Sequence, residues 1–508
     1  MKGKVLSIIC ALGILTVSCS DFLDSKSQDE VIPKTTKDFR ELLLGSGYPN
    51  PTNEHPVAIT SYMDDDLDCD VNNSSAGADY TKSIFAVYTW QPDAERYEST
   101  VVSPELASTP YYAMFERIKG CNAVLDYVDE AVGSQQEKDQ IKAEALAVRA
   151  LFYFWLVNLY GEPYTENPQA LGVPLKLSSS VEEVSIARST VEKVYEQILT
   201  DLNKSAALLG EDSRVTTDYR INRPTVEILL SRVYLYMGNW QKAVEAATEA
   251  IRIGGELTNL TAIEKADANF VCTQYSSQEV TWMYGGSVST FKIESGLNMS
   301  TELRTAYGEN DRRMDLYYSY DANRGQYYNN KPSATNDAPK SAIRMSEAYL
   351  NRAEAYVLWE NKTTEALADL NKLRRNRITG YQDVAISDPD LLLKEIRLER
   401  RLELTLEGHR WLDLRRYGMP SIKHTWLPGV GMALQTYVLK EKDPMYTLPL
   451  PESVLGANPA LTQNASAYEP ERKAEIRYEK KICNSNVGLG YIFVLLFERR
   501  GFGSGCGV

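Results

Sequence analysis

Residues 397–418 read RLERRLELTLEGHRWLDLRRYG. With Glu395 just ahead of the run, Glu399, Glu403 and Glu407 complete a series at every fourth position. On a helix this series forms one stripe, with neighbouring Cβ atoms about 5–6 Å apart. A retaining glycosidase holds its two carboxyl groups about 5–5.5 Å apart, so the stripe permits a catalytic pair, as any such spacing does. Like charges at that step repel, and Arg397, Arg400, Arg401 and Arg410 supply the opposing charge. Leu398, Leu402 and Leu406 add an apolar stripe. The physical reading is an amphipathic helix whose acids and arginines form a buried or half-buried ion network. His409 has no nucleophile near it in sequence and reads as a capping or packing residue.

Helical periodicity spreads on both sides of this run. YYAMFERIKGCNAVLDYV, from 111, and IKAEALAVRALFYFWLVNLYG, from 141, repeat apolar residues at three- and four-residue steps. The second stops at Gly161, with Pro163 beyond it. RPTVEILLSRVYLYMGNWQKAVEAATEAIRIGG, from 223, reads as two helices joined at Gly238–Asn239. Ala243 and Ala250, seven apart, face the partner helix, a tetratricopeptide pattern. RMSEAYLNRAEAYVLWENKTTEALADLNKLR, from 344, is a second copy, with Asn361 in place of the turn glycine and Ala366 and Leu373 at the matching offsets. The copies are not in tandem, so the expected fold is mainly α: tetratricopeptide-like pairs as a scaffold, long loop-rich insertions, and a few short strands. The helices are expected at about 110–160, 189–253 and 341–417, and the insertions at about 56–109 and 255–340.

The N-terminus reads MKGKVLSIICALGILTVSCSDFLD. Two lysines precede an apolar run too short for a comfortable membrane span. The run ends in LTVSC, which resembles a bacterial lipobox: residues 1–18 would be removed and Cys19 lipidated. The five later cysteines, Cys69, Cys121, Cys272, Cys483 and Cys506, are scattered and offer neither a zinc signature nor a disulfide framework. The chain of 508 residues carries a net charge of −14, which gives nucleic acid no basic footprint. Its aromatics are skewed to 32 Tyr and 7 Trp against 11 Phe. Rings with a flat apolar face and a polar edge suit sugar stacking, and equally suit core and wet surface.

Taken together, ERRLELTLEGHRWLDLRR, RMSEAYLNRAEAY, AEALAVRALFYFWLVNLYG and the later YTLPLPESVLGANPALTQNASAY, behind the lipobox, resemble the SusD-like (SusD/RagB) family of outer-membrane lipoproteins over residues 15–468. The resemblance implies four tetratricopeptide-like helix pairs and no enzymatic activity. It implies an outward-facing, lipid-anchored protein of a Gram-negative outer membrane that caps a SusC-like TonB-dependent transporter and delivers oligosaccharide to it. The alternatives are peptide capture within the same family, a surface glycosidase, and a plain protein–protein scaffold. No catalytic residue and no cofactor is expected.

Ligand contacts are expected from the two insertions, where loops on a rigid scaffold carry binding. The candidates are Tyr62, Asp65, Trp90 and Tyr97 in the first, and Trp282 and Tyr284 in the second. The alternative for each aromatic is a buried loop anchor. Val280, Trp282 and Tyr284 alternate like a strand, which puts Trp282 and Tyr284 on one face and Met283 on the other. Asp66, Asp68 and Asp70 alternate like the start of an EF-hand loop, but Val71 and Gly77 stand where that loop needs Gly and Glu. A looser calcium site there is the weaker alternative to a solvated acidic loop. The SusD-like domain is expected to span 19–468. Residues 469–508, with the apolar run YIFVLLF, are expected as a tail outside the fold.

Overall fold

The computed structural model describes residues 33–49, 57–72, 84–94, 109–181, 185–211, 220–264, 271–285, 296–331 and 339–475. The expectations for Cys19, Tyr97 and residues 476–508 lie outside them.

The chain is mainly helical, as the periodicity predicts. Helix α1 (Thr36–Leu42) is followed by α2 (Thr109–Tyr127), α3 (Gln135–Tyr160), α4 (Val191–Leu208), α5 (Arg223–Tyr236) and α6 (Trp240–Ile253). After the second insertion, which holds the short α7 (Thr301–Ala306), come α8 (Met345–Leu358), α9 (Thr363–Arg375), α10 (Pro389–Leu404) and α11 (Arg410–Arg416). Short links join four pairs: α2–α3, α5–α6, α8–α9 and α10–α11. The α5–α6 turn uses Gly238 at φ +73°, and Asn361 takes the same left-handed conformation (φ +51°) between α8 and α9. Asparagine tolerates that region better than most residues, which is why it can stand in for glycine. Ala243, Ala250, Ala366 and Leu373 are all fully buried.

The strands form four separate antiparallel pairs. β1 (Leu67–Cys69) pairs with β3 (Leu297–Met299), and β2 (Val280–Tyr284) with β6 (Ser341–Arg344). β4 (Tyr318–Asp321) pairs with β5 (Gln326–Asn329), and β7 (Ile422–Trp426) with β8 (Gln435–Leu439). The β1–β3 pair joins the first insertion to the second.

The glutamate stripe does not stay on one helix. α10 ends at Leu404, and Leu406 and Gly408 turn the chain through left-handed φ values of +60° and +80°. Glu407 therefore leaves the helix, yet it converges with the others on a buried ion cluster. Glu403 binds Arg377, Arg344 and Arg313 at 2.8, 2.7 and 3.2 Å. Glu407 binds Arg344 and Lys331, while Glu399 binds Arg313 and Arg374. Glu279 of the second insertion closes the set on Arg344 and Arg377. Burial alone would raise these carboxyls. The guanidiniums outweigh it, holding Glu403 well below the carboxylate range and Glu407 at about 2. The apolar stripe is mixed: Leu402 and Leu406 are buried and Leu398 half-buried.

A pH prediction follows. Glu407 and Glu347 have folded values of about 2, below the roughly 4.3 of an unfolded glutamate. Their contribution is present above that unfolded value and is lost as pH falls towards 2. Burial also pushes His409 down to about 4. The unfolded chain thus takes up a proton near pH 6.5 that the folded state refuses. Urea midpoints should decline from about pH 6.5 and fall steeply below about 4.5; a flat profile to pH 3 would contradict the cluster.

The fold also continues past its expected limit at 468. Arg472 bonds Val438 O at 2.7 Å and pairs with Asp443 at 3.0 Å, and Glu475 N–H donates to Thr436 O. Residues 469–475 are thus part of the domain.

Candidate functional site

The scaffold grips the first insertion through the arginines of the 397–418 run. Arg410 holds the Asp65 carboxylate with two bonds, at 2.7 and 2.8 Å. Arg401 bonds Asp66 at 2.8 Å and the Asp65 carbonyl at 2.8 Å. The His424 ring lies between Tyr88 and Trp90, with centroids 4.2 Å from each. Its two nitrogens lie 2.7 and 2.8 Å from the Tyr88 and Asp64 carbonyls. These contacts fix the base of the loop on which β1 stands.

The sequence candidates fall mostly inside this base. Trp90 is 0% exposed, and its Nε1–H donates to Met63 O. Trp282 and Tyr284 are 1% and 6% exposed. They share a face, stacked at 4.8 Å, with Tyr284 against Trp155 of α3 and Trp282 edge-on to Tyr48. Met283 points the other way, as alternation predicts, but Val280 joins it because a bulge between 280 and 282 shifts the register. A ring enclosed on all sides offers no face to a sugar, so these three are anchors, not ligand contacts. Asp65 is engaged by Arg410, and Tyr62 is half-buried against the core. Trp282→Ala is expected to cost about 3–5 kcal/mol in stability, read by chemical denaturation, while leaving the ligand affinity of the folded protein unchanged.

The open aromatics lie elsewhere. In the β4–β5 hairpin, Tyr320 sits directly opposite Tyr327. Their rings are 4.8 Å apart and tilted by 40°. Tyr320 is 54% exposed, Tyr327 is half-buried, and neither hydroxyl bonds another described residue. The inner Tyr318, on the same face, is buried and reaches Tyr307. The hairpin is clipped to the β1–β3 pair by Asn298, which donates to Gly325 O and accepts from Tyr327 N–H. Gln326 donates to Asp70 across the insertions at 2.7 Å. On α7, the Arg304 guanidinium carbon lies 5.9 Å from the Tyr327 centroid. The result is a rigid, partly open aromatic platform with a cation at its side. The signal was present at 317–330, YYSYDANRGQYYNN, where alternate tyrosines flank an Asn-Arg-Gly turn.

The acidic loop does not gather for a cation as the EF-like alternation suggests. Asp66 faces Arg401, Asp68 accepts from Thr301 N–H, and Asp70 accepts from Gln326. Asp64, Asp65 and Asp66 have carboxylate oxygens within 4.8 Å of one another, but Arg401 and Arg410 already face two of them. Cys69, Cys121 and Cys272 are buried free thiols.

Among the described residues a cavity of about 650 Å³ beside Trp90, lined by Met63, Tyr160, Leu448, Leu450 and Pro451 among others, competes with the platform. Its amides are engaged: Gln463 bonds the Leu450 backbone through both ends, and Gln91 bonds the Arg472 backbone. Asp93, Glu452 and Ser453 also line it, so its wall mixes polar and apolar groups.

A family model described as starch-binding and associating with the outer membrane matches residues 21–235, and the SusD family model matches residues 234–468. SusD-like protein P2 of Formosa agariphila is 25% identical over 407 residues, covering 66% of this chain and 75% of that one. A SusD superfamily protein of Bacteroides thetaiotaomicron has the same fold, with a TM-score of 0.67 at 24% identity over 85% of this chain and 99% of its own. A protein named as a laminarin-binding SusD-like protein aligns with a TM-score of 0.61 at 20% identity, over 85% and 99% of the two chains.

Proposed function

The chain belongs to the SusD family, and from that premise we propose that it captures an oligo- or polysaccharide at the cell surface and passes it to a SusC-like TonB-dependent transporter. The observation that carries the reading is the Tyr320–Tyr327 pair: an open ring face held rigid by Asn298 and Gln326. Pyranose rings present C–H faces that pack on such aromatics while their hydroxyls reach polar groups at the rim. Rigid mounting keeps the entropy of ordering low when the glycan binds.

The protein works by holding, not by cleaving. A glycosidase acid must carry a proton at working pH. Glu399 and Glu403 are buried, Glu407 is nearly so, and all three are held ionised by arginine and Lys331. Attachment is through lipid on Cys19. Among the described residues no helix is long and apolar enough to cross a membrane, which fits an anchor of that kind. The match to a model described as associating with the outer membrane supports the address.

The test uses residues 20–508 in calorimetric titrations against a panel of polysaccharides and oligopeptides, with product release followed in the same mixtures. Binding of one glycan class without cleavage is the expected result. Cleavage would overturn the non-enzymatic reading. The cavity beside Trp90, which sets Asp93 and Glu452 among apolar side chains, favours a second reading, peptide capture, which would appear as peptide binding without glycan binding.

A further inference from the structure

We propose, resting on the glycan-capture reading, that Arg304 makes the Tyr320–Tyr327 platform selective for acidic saccharides, those bearing a carboxylate or a sulfate ester. The argument turns on which polar groups around the platform remain unengaged. Its carboxylates are engaged. Asp68 accepts from Thr301 N–H at 3.0 Å and Asp70 from Gln326 at 2.7 Å. Glu302 accepts from Arg401 at 2.7 Å. Asp321 accepts from Asn323 N–H at 2.9 Å and faces Arg324 at 3.8 Å. Each of these carboxylates thus already meets a protein donor, which leaves it less acceptor capacity for sugar hydroxyls.

Arg304 is the opposite case. It is exposed on α7 and lies over Tyr327, and among the described residues its guanidinium meets no carboxylate and no carbonyl. The Arg401–Asp66 contact is what a satisfied arginine looks like in this protein. Among the described residues nothing takes the donors of Arg304, which lie within reach of whatever rests on the ring beside it. A guanidinium presents a fork of N–H donors that matches the oxygens of a carboxylate or sulfate. On a chain of net charge −14, long-range attraction does not draw an anionic glycan in, so preference for one must be made locally. A cation fixed beside an aromatic face does this: the ring takes the sugar body and the guanidinium takes the substituent.

The experiment compares matched glycans with the intact protein. Polygalacturonate is set against its methyl ester, and a sulfated galactan against its chemically desulfated form. Affinity electrophoresis and calorimetry are run on the wild type, Arg304→Gln, Arg304→Lys and Tyr320→Ala, each first shown to unfold at the wild-type temperature. The wild type should bind at least one acidic member about 10- to 100-fold more tightly than its neutral counterpart, the range of one charge-assisted bond. Arg304→Gln should erase that difference and flatten the salt dependence, Arg304→Lys should restore part of it, and Tyr320→Ala should weaken both members. The two acidic arms separate carboxylate from sulfate. Equal binding of acidic and neutral members, or an acid preference untouched by Arg304→Gln, overturns the proposal. Loss on Tyr320→Ala in that case leaves glycan capture standing. Indifference to Tyr320→Ala, or no binding across the panel, overturns both.

Discussion

Glu403→Gln is expected to destabilise the protein by about 3–5 kcal/mol, the usual cost of removing one partner from a buried ion pair. The substitution barely changes volume, so the loss isolates charge. The cluster balances five acids (Glu279, Glu399, Glu403, Glu407, Asp311) against five bases (Arg313, Arg344, Arg374, Arg377, Lys331). Without the Glu403 charge the five bases face four acids, and one positive charge is left unbalanced among the buried Arg377, Arg344 and Arg313. Tyr317 also loses a strong acceptor, since its hydroxyl donates to Glu403 at 3.1 Å. The control is Glu395→Gln. Glu395 shares Arg374 with Glu399, but its side chain is 38% exposed, and a pair screened by solvent is worth at most about 1 kcal/mol. Urea denaturation of the two variants should differ several-fold in free energy. Equal, small effects would mean that the cluster does not hold the α10 region to the second insertion.

Tyr320→Ala is expected to weaken glycan binding by at least about 30-fold, the factor set by the roughly 2 kcal/mol that defines an aromatic hot spot, with little effect on folding. The ring stands more than half exposed, so its loss opens no cavity, and Tyr327 stays clipped by Asn298. Tyr320→Phe should keep most of the affinity if stacking dominates, and lose it if the free hydroxyl is the main contact. Calorimetry on the glycan found by the panel decides between them. Trp90→Ala, by contrast, removes a ring packed on His424 and should fail as a fold before it fails as a binder.

The scaffold was legible because its signals are local. The small residues Ala243, Ala250 and Ala366 and the left-handed turn positions Gly238 and Asn361 lie within single helix pairs. The glutamate stripe does build an ion network, but not with the arginines beside it: Arg397, Arg400, Arg401 and Arg410 pair with Glu354, Asp413, Asp66 and Asp65, while the glutamates take Arg313, Arg344, Arg374, Arg377 and Lys331 from elsewhere in the chain, partners that spacing within the run does not reveal. The site was less legible. Trp90, Trp282 and Tyr284 are aromatic rings in the insertions, and a large ring is also what a core recruits. Their burial depends on contacts with residues as distant in sequence as Met63, Tyr48 and Trp155. Tyr320 and Tyr327 lie in a plain hairpin pattern, which does not say which face is left open. Only the clip through Asn298 and the Asp70–Gln326 bond place that face beside the first insertion.

The β1–β3 pairing, Leu67 with Met299, has a consequence for how the protein matures. The helices α2 to α6 can form from near neighbours as the chain emerges, but the platform needs two segments with more than half of the helical scaffold between them. Contacts of such wide sequence separation form late. A truncated or stalled chain ending before residue 297 would carry much of the expected helix and no receptor face. The platform is therefore a long-range feature of the fold, absent from any chain that holds only its N-terminal helices.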